Sequence, residues 1–263
     1  MGKSLETALT VGIIKVNSQR YLKHRPSIIA VKEAAAVNRR LNLDIIIGPE
    51  WSLMNREEEE GPYSPEELKR LIDYFKAETL GTKTLFIPGT AIVATRHNNI
   101  YNLLLAFSDG EIVYATLKNT NGGTDDFDAD DAYNLILGKG NHEFKFRGYR
   151  IGVEICSDAD SLYRLHTSGL DIQLLVSCGI RTTKLAVKKG GYLICADGLR
   201  DRNMLNTHSA YVLSRKTDEP VDLDDYLQFF RGKSELTGKK PGFTMHSCGK
   251  RYRELEVYTL KTP

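Results

Sequence analysis

Nowhere in its 263 residues does the chain keep an apolar run long enough to cross a bilayer, which takes about 20 residues as a helix. Met1–Thr10 has Lys3 but no long apolar segment behind it, so no secretory leader is expected there. Gly2 satisfies the first position of a myristoylation pattern, and Glu6 breaks it. Cysteine is sparse: Cys156, Cys178, Cys195 and Cys248 are the four, none in C-x-x-C spacing, which speaks against a zinc knuckle or a disulfide framework. The compartment expected is a reducing cytoplasm, where a thiol stays free and reactive. The six histidines, including His97, His142, His166 and His208, show no H-E-x-x-H or other paired-ligand spacing, so no metal is expected. No glycine-rich phosphate loop follows a strand, and no cofactor is expected either. Charge of one sign is missing as well. Lys and Arg total 36, Asp and Glu 34, and a net charge of +2 gives no general attraction to nucleic acid or to an anionic membrane. The acidic stretches Glu57–Glu60 and Asp125–Asp131 are local, and the first reads as a solvated loop.

What is present is ordinary for a globular core: 41% hydrophobic and 27% charged residues. The length suits one large α/β domain or two small ones. No boundary is visible, even at the polar stretch Pro220–Gly242, so residues 1–263 are expected to form a single domain. Ala8–Val16 reads as a first strand, and Ser27–Arg40 as a helix with Ile28, Val31 and Ala35 on its period. Leu43–Ile47 suits a strand buried on both faces and ends at Gly48-Pro49-Glu50. Ser64-Pro65-Glu66-Glu67 is a helix start with its cap, continued by Leu68, Leu71, Ile72 and Phe75. Thr84–Ile87 and Ala91–Ala94 flank Pro88-Gly89. Tyr101–Phe107 and Glu111–Lys118 form a hairpin across Asp109-Gly110, and Glu143–Phe146 pairs with Tyr149–Ile155 across Arg147-Gly148. Asp171–Ser177, Tyr192–Ala196 and Val257–Leu260 are further strands. Hairpins in the centre and helices between early strands predict a layered α/β sandwich rather than an all-parallel sheet.

Three polar residues of complementary type sit at the ends of three of these strands. Cys156 follows Gly152–Ile155, where a turn can present a nucleophile and backbone N–H groups to an oxyanion. A buried structural cysteine is the alternative. Lys118 ends its hairpin, either as a cation beside a thiolate or as an edge lysine that discourages aggregation. Glu50 follows a buried strand, either as a base held in a pocket or as a surface loop acid. Taken together they supply covalent catalysis without histidine. Trp51 lines the same place or belongs to the core, and core is the better fit. Cys178 and Cys195 read as packing residues.

The order of these residues resembles the nitrilase superfamily of carbon–nitrogen hydrolases. The match rests on Gly48-Pro49-Glu50, Tyr101-Asn102, the hairpin through Asp109-Gly110 to Tyr114–Lys118, and Gly152–Asp158 with its G-x-x-I-C-x-D pattern. The resemblance implies a four-layer α-β-β-α sandwich that pairs into a homodimer or larger assembly, a Glu50–Lys118–Cys156 triad, and an oxyanion held by Lys118 and the Ser157 N–H. It implies a second acid between Lys118 and Cys156, placed at Asp131, with Asp130 beside it, where the family usually has Glu. Asp131 lies seven residues before Gly138. Glu154, two residues before Cys156, is similar to the glutaminase domains of glutamine-dependent NAD synthetases and hints at a small amide substrate. By strand parity it shares a face with Cys156. An activated Cys156 is expected to alkylate below the usual thiol range near 8.5. The alternatives to an amidase are an inactive relative that binds or assembles, and an acyl transferase using the same cysteine.

Overall fold

β-branched and aliphatic runs set the architecture, because each short run buries alternate side chains on opposite faces of a sheet. The structure, a computed structural model, describes residues 8–15, 27–53, 62–95, 98–121, 133–140, 142–165, 169–178, 182–198, 210–219, 221, 223, 242–252, 255–261 and 263. In chain order it begins with β1 (Ala8–Ile14), α1 (Ser27–Leu41), β2 (Ile45–Ile47), α2 (Pro65–Thr79), β3 (Leu85–Ile87) and β4 (Thr90–Ala94). The long strand β5 (Asn99–Ser108) follows, then β6 (Glu111–Leu117), β7 (Asn134–Leu135), β8 (Glu143–Phe146) and β9 (Tyr149–Ile155). After a 3-10 turn at Cys156–Asp158 come α3 (Ser161–Arg164), β10 (Leu170–Ser177), β11 (Val187–Asp197) and β12 (Ala210–Arg215). The last elements are β13 (Phe243–His246), β14 (Lys250–Arg251) and β15 (Leu255–Lys261).

One sheet runs β14-β15-β1-β2-β3-β5-β4, with β1, β2 and β3 parallel at its centre. Strand β5 carries β3 and β4 along one edge and β6 and β7 along the other. The second sheet runs β13-β12-β11-β10-β9-β8, with β9, β10 and β11 parallel. The sheets meet through the odd-numbered side chains of β1 and β9: Val11 and Ile13 on one side, Ile151, Val153 and Ile155 on the other, all without exposed surface. The outer face of the first sheet is covered by α1 and α2, with Val31, Ala34 and Phe75 against Ile46, Phe86 and Phe107. The outer face of the second sheet is covered, among the described residues, by the single turn of α3 and by chain segments carrying Leu185, Val221 and Leu223. The expected α-β-β-α order therefore holds, with a fourth layer that is thin in helix.

Candidate active site

The turn after β2 is held in place from both sides. The Gly48 N–H extends the sheet by donating to the Ile87 carbonyl at 2.7 Å. A Cβ at Gly48 would strike the Pro88 carbonyl, so only glycine allows β2 and β3 to end this close together. Ser52 donates its hydroxyl to that same Pro88 carbonyl. The Glu50 N–H donates to Ser177 O at 3.2 Å, across to the second sheet. The Glu50 side chain is thereby delivered, fully buried, between the two sheets.

Lys118 stands at the first position beyond β6. Its N–H donates to Asn102 O at 3.0 Å and its carbonyl accepts from the Gly138 N–H at 2.8 Å, which fixes the backbone on two sides. Its ammonium, 1% exposed, lies 2.9 Å from Glu50 Oε1, and Asn102 Nδ2 donates to that oxygen at 3.0 Å. Cys156 stands at the first position beyond β9 with φ at 46°, a left-handed conformation uncommon for a side-chain-bearing residue. Such a backbone turns the residue out of the strand. The elbow is tied back to Lys118 through Asp158, fully buried, whose carboxylate oxygens each accept from the Asn119 N–H at 3.1 Å. Thr120 adds its hydroxyl to Asp158 Oδ1 at 2.7 Å, and Ser157 Oγ donates to Thr120 O at 3.0 Å.

The Cys156 thiol is surrounded by burial first, then by the Glu50 carboxylate as charge and hydrogen-bond partner, and these push its pKa well up. The Cys178 backbone N–H at the sulfur and the Lys118 ammonium pull the other way and do not prevail. The resting state is thus a thiol facing a carboxylate that is itself braced by a cation. Sulfur, carboxylate and ammonium converge at the carboxyl-end turns of strands from both sheets, the position where α/β folds place reactive groups.

No family model and no curated protein sequence matches the chain. Solved structures do. An amidase from Nesterenkonia sp. superposes with a TM-score of 0.60 at 13% identity, over 97% of this chain and 90% of that one. Nit3 of Saccharomyces cerevisiae, a member of branch 10 of the nitrilase superfamily, gives 0.53 at 15% identity, over 99% and 92%. Glutamine-dependent NAD+ synthetase from Acinetobacter baumannii gives 0.54 at 17% identity over 82% of this chain, which spans 43% of the synthetase. The chain has the nitrilase fold.

Within the nitrilase fold the structure brings Glu50, Lys118 and Cys156 together and keeps Ser157 beside them. Glu154 goes elsewhere. Its Oε1 accepts from the Leu162 N–H at 3.0 Å and its Oε2 from Gln173 Nε2 at 2.9 Å. The face shared with Cys156 that strand parity predicts is lost because β9 stops at Ile155 and Cys156 takes a positive φ. Burial, opposed by those two hydrogen bonds, raises the Glu154 carboxyl to about 7. Asp131 and Asp130 lie outside the described residues. Trp51 packs on the outer-face cluster of the first sheet, as a core residue does. The raised thiol pKa departs from the expectation of a thiol acidified in the resting state: the Glu50 charge adjoining the sulfur works in the same direction as burial. Sequence reasoning missed Cys178, whose N–H is at the sulfur, and Asp158, which matched the motif without a role. The signal for Cys178 was its place directly after β10, the strand next to β9. No group of three or more His, Cys, Asp or Glu residues among the described ones is arranged to hold a metal. No helix of the described residues is long and apolar enough to cross a membrane.

Proposed function

We propose that the chain is a cysteine-dependent hydrolase of non-peptide carbon–nitrogen bonds, acting on a small amide in preference to a nitrile. The observation that carries this reading is the buried Cys156 thiol beside a Glu50 carboxylate that Lys118 holds at 2.9 Å. A neutral thiol is a poor nucleophile, and a carboxylate in hydrogen-bond reach is what converts it at the moment of attack. Glu50 takes the thiol proton as the sulfur bonds to the amide carbon and the carbonyl electron pair moves to oxygen. The oxyanion is met by the Lys118 ammonium and the Ser157 N–H in a buried site, where such donors count for more than they do in water. Glu50 returns the proton to the departing nitrogen, the C–N bond breaks, and a thioester remains. Water then gives a proton to Glu50 as its oxygen adds to the thioester carbon. Loss of the Cys156 thiolate, reprotonated by Glu50, releases the acid. Asp131 is proposed as the second acid that orients Lys118 and the substrate.

The structural relatives support the chemistry. A variant of the Nesterenkonia amidase carries acrylamide added at its active-site cysteine, and a CN-hydrolase superfamily protein from Xanthomonas campestris carries an arsenic adduct in its active site. The amide preference draws on these amidases and on the glutamine-dependent synthetase among the fold relatives. The test is intact-mass spectrometry during turnover of a panel of small primary amides. An acyl adduct mapped to Cys156, absent from Cys156→Ala, is the expected result. Turnover that persists in Cys156→Ala overturns the proposal. Product analysis with added amines separates hydrolysis from acyl transfer.

A further inference from the structure

Asn102 lies in mid-strand on β5, backbone-paired with Ile92 of β4 on one edge and accepting the Lys118 N–H on the other. Its side chain is 1% exposed. The amide Nδ2 donates to Glu50 Oε1 at 3.0 Å, the oxygen that Lys118 Nζ already holds at 2.9 Å. The other end of the amide, Oδ1, is buried with no hydrogen-bond partner among the described residues. A buried carbonyl without a donor is destabilising, so this side chain is not arranged for its own satisfaction. It is arranged to place a second donor on Oε1.

We infer that Asn102 is a positioning residue that selects which oxygen of Glu50 acts as the base, by loading Oε1 with a second donor and leaving Oε2 to the Cys156 thiol. The inference rests on reading Glu50 as the base. A carboxylate oxygen that accepts from both an ammonium and an amide is less basic than its sibling, so the thiol proton goes to Oε2. The same two donors favour the ionised carboxylate, which keeps Glu50 able to accept a proton at lower pH. Because Asn102 also carries the Lys118 N–H on its carbonyl, one residue sets both the base and the cation that braces it.

The test needs no substrate. Iodoacetamide alkylates Cys156 by forming a C–S bond as iodide leaves and the thiol proton passes to Glu50. The rate is followed against pH on the full chain by intact mass, with peptide mapping to separate Cys156 from the other cysteines. The wild-type rate is expected to fall on the acid side as Glu50 takes up a proton. Asn102→Leu, which removes the Nδ2 donor and keeps a side chain of similar size, is expected to stay folded. It should move that acid limb up by about one pH unit and slow alkylation there about tenfold. Asn102→Ser carries the same expectation if the leucine variant does not fold. Glu50→Gln is expected to abolish the limb. A limb lost in Glu50→Gln but unmoved in the Asn102 variants overturns the inference and leaves the base assignment standing. A limb that survives in Glu50→Gln overturns the base assignment itself.

Discussion

Lys118 and Glu50 are a buried ion pair, and their energetics are lopsided. Two charges removed from water recover only part of their desolvation from each other, but deleting one leaves the other stranded. Lys118→Met is therefore expected to lower the unfolding free energy by about 3–5 kcal/mol, read by urea denaturation. The double variant Glu50→Gln with Lys118→Met should recover much of that loss, and a double variant as unstable as the single one would contradict this account. Glu154 makes a second prediction at this scale. Its carboxyl is raised from an ordinary 4.5 to about 7, chiefly by burial, with the Leu162 N–H and the Gln173 amide opposing and Asp160 and Asp158 reinforcing. The folded chain thus holds this proton more tightly than the unfolded chain. The stability it contributes is complete below the unfolded pKa and is lost as pH rises through the folded one, a span worth about 3 kcal/mol. Glu154→Gln stays uncharged throughout, so its stability relative to the wild type should rise between about pH 5 and about pH 8. Melting curves that keep a constant offset over that range would remove Glu154 from the pH dependence.

Helix α2 shows an element whose start was written in the sequence. Ser64 caps it by accepting the Glu67 N–H at 3.2 Å, and the Glu67 carboxylate accepts the Ser64 N–H at 2.7 Å, the reciprocal pair that S-P-E-E announces. Ser64→Ala is expected to cost about 1 kcal/mol while leaving the alkylation rate of Cys156 unchanged, since α2 packs on the outer face away from the thiol. A slowed alkylation would mean that α2 reaches the site. The hairpins β5–β6 and β8–β9 were equally legible, because alternation and a tight turn are local properties. So were the positions of Glu50, Lys118 and Cys156, each a polar residue at the end of an apolar strand. Other elements were not. The sequence starts this strand only at Tyr192, yet Lys188, Lys189, Gly190 and Gly191 also belong to β11, where the pairing with β10 shifts register and Lys188 meets Asp171 at 2.5 Å. Strands β12 and β13 are short, and their pairing partners lie far along the chain or across a long polar stretch. The direction of Glu154 was misjudged for a similar reason. Strand parity is local, but the left-handed turn at Cys156 that breaks it is imposed by the packing around the elbow.

At the scale of the whole molecule, the site has no existence within one sheet. Glu50 and Lys118 come from the first sheet and Cys156 from the second, and the Glu50 N–H to Ser177 O bond crosses between them. The layer that joins the sheets is a continuous apolar cluster, from Val11 and Ile13 through Leu174 and Val176, with these four at 0% exposure. Separating the sheets exposes this entire layer, and among the described residues the inner face of each sheet is buried against the other. Unfolding should therefore dismantle site and sandwich in one step. The chain carries a ready reporter in Trp51, its single tryptophan, directly after Glu50. Denaturation followed by Trp51 fluorescence should coincide with denaturation followed by far-ultraviolet circular dichroism, which reports both sheets. Leu174→Ala, in mid-strand on β10, should lower stability by about 2–5 kcal/mol and move both curves together by the same amount. If the fluorescence transition instead runs ahead of the dichroism transition, the turn that carries Trp51 and Glu50 comes loose before the sheets do. The packing between sheets would then not be what holds Glu50 and Cys156 within reach of each other.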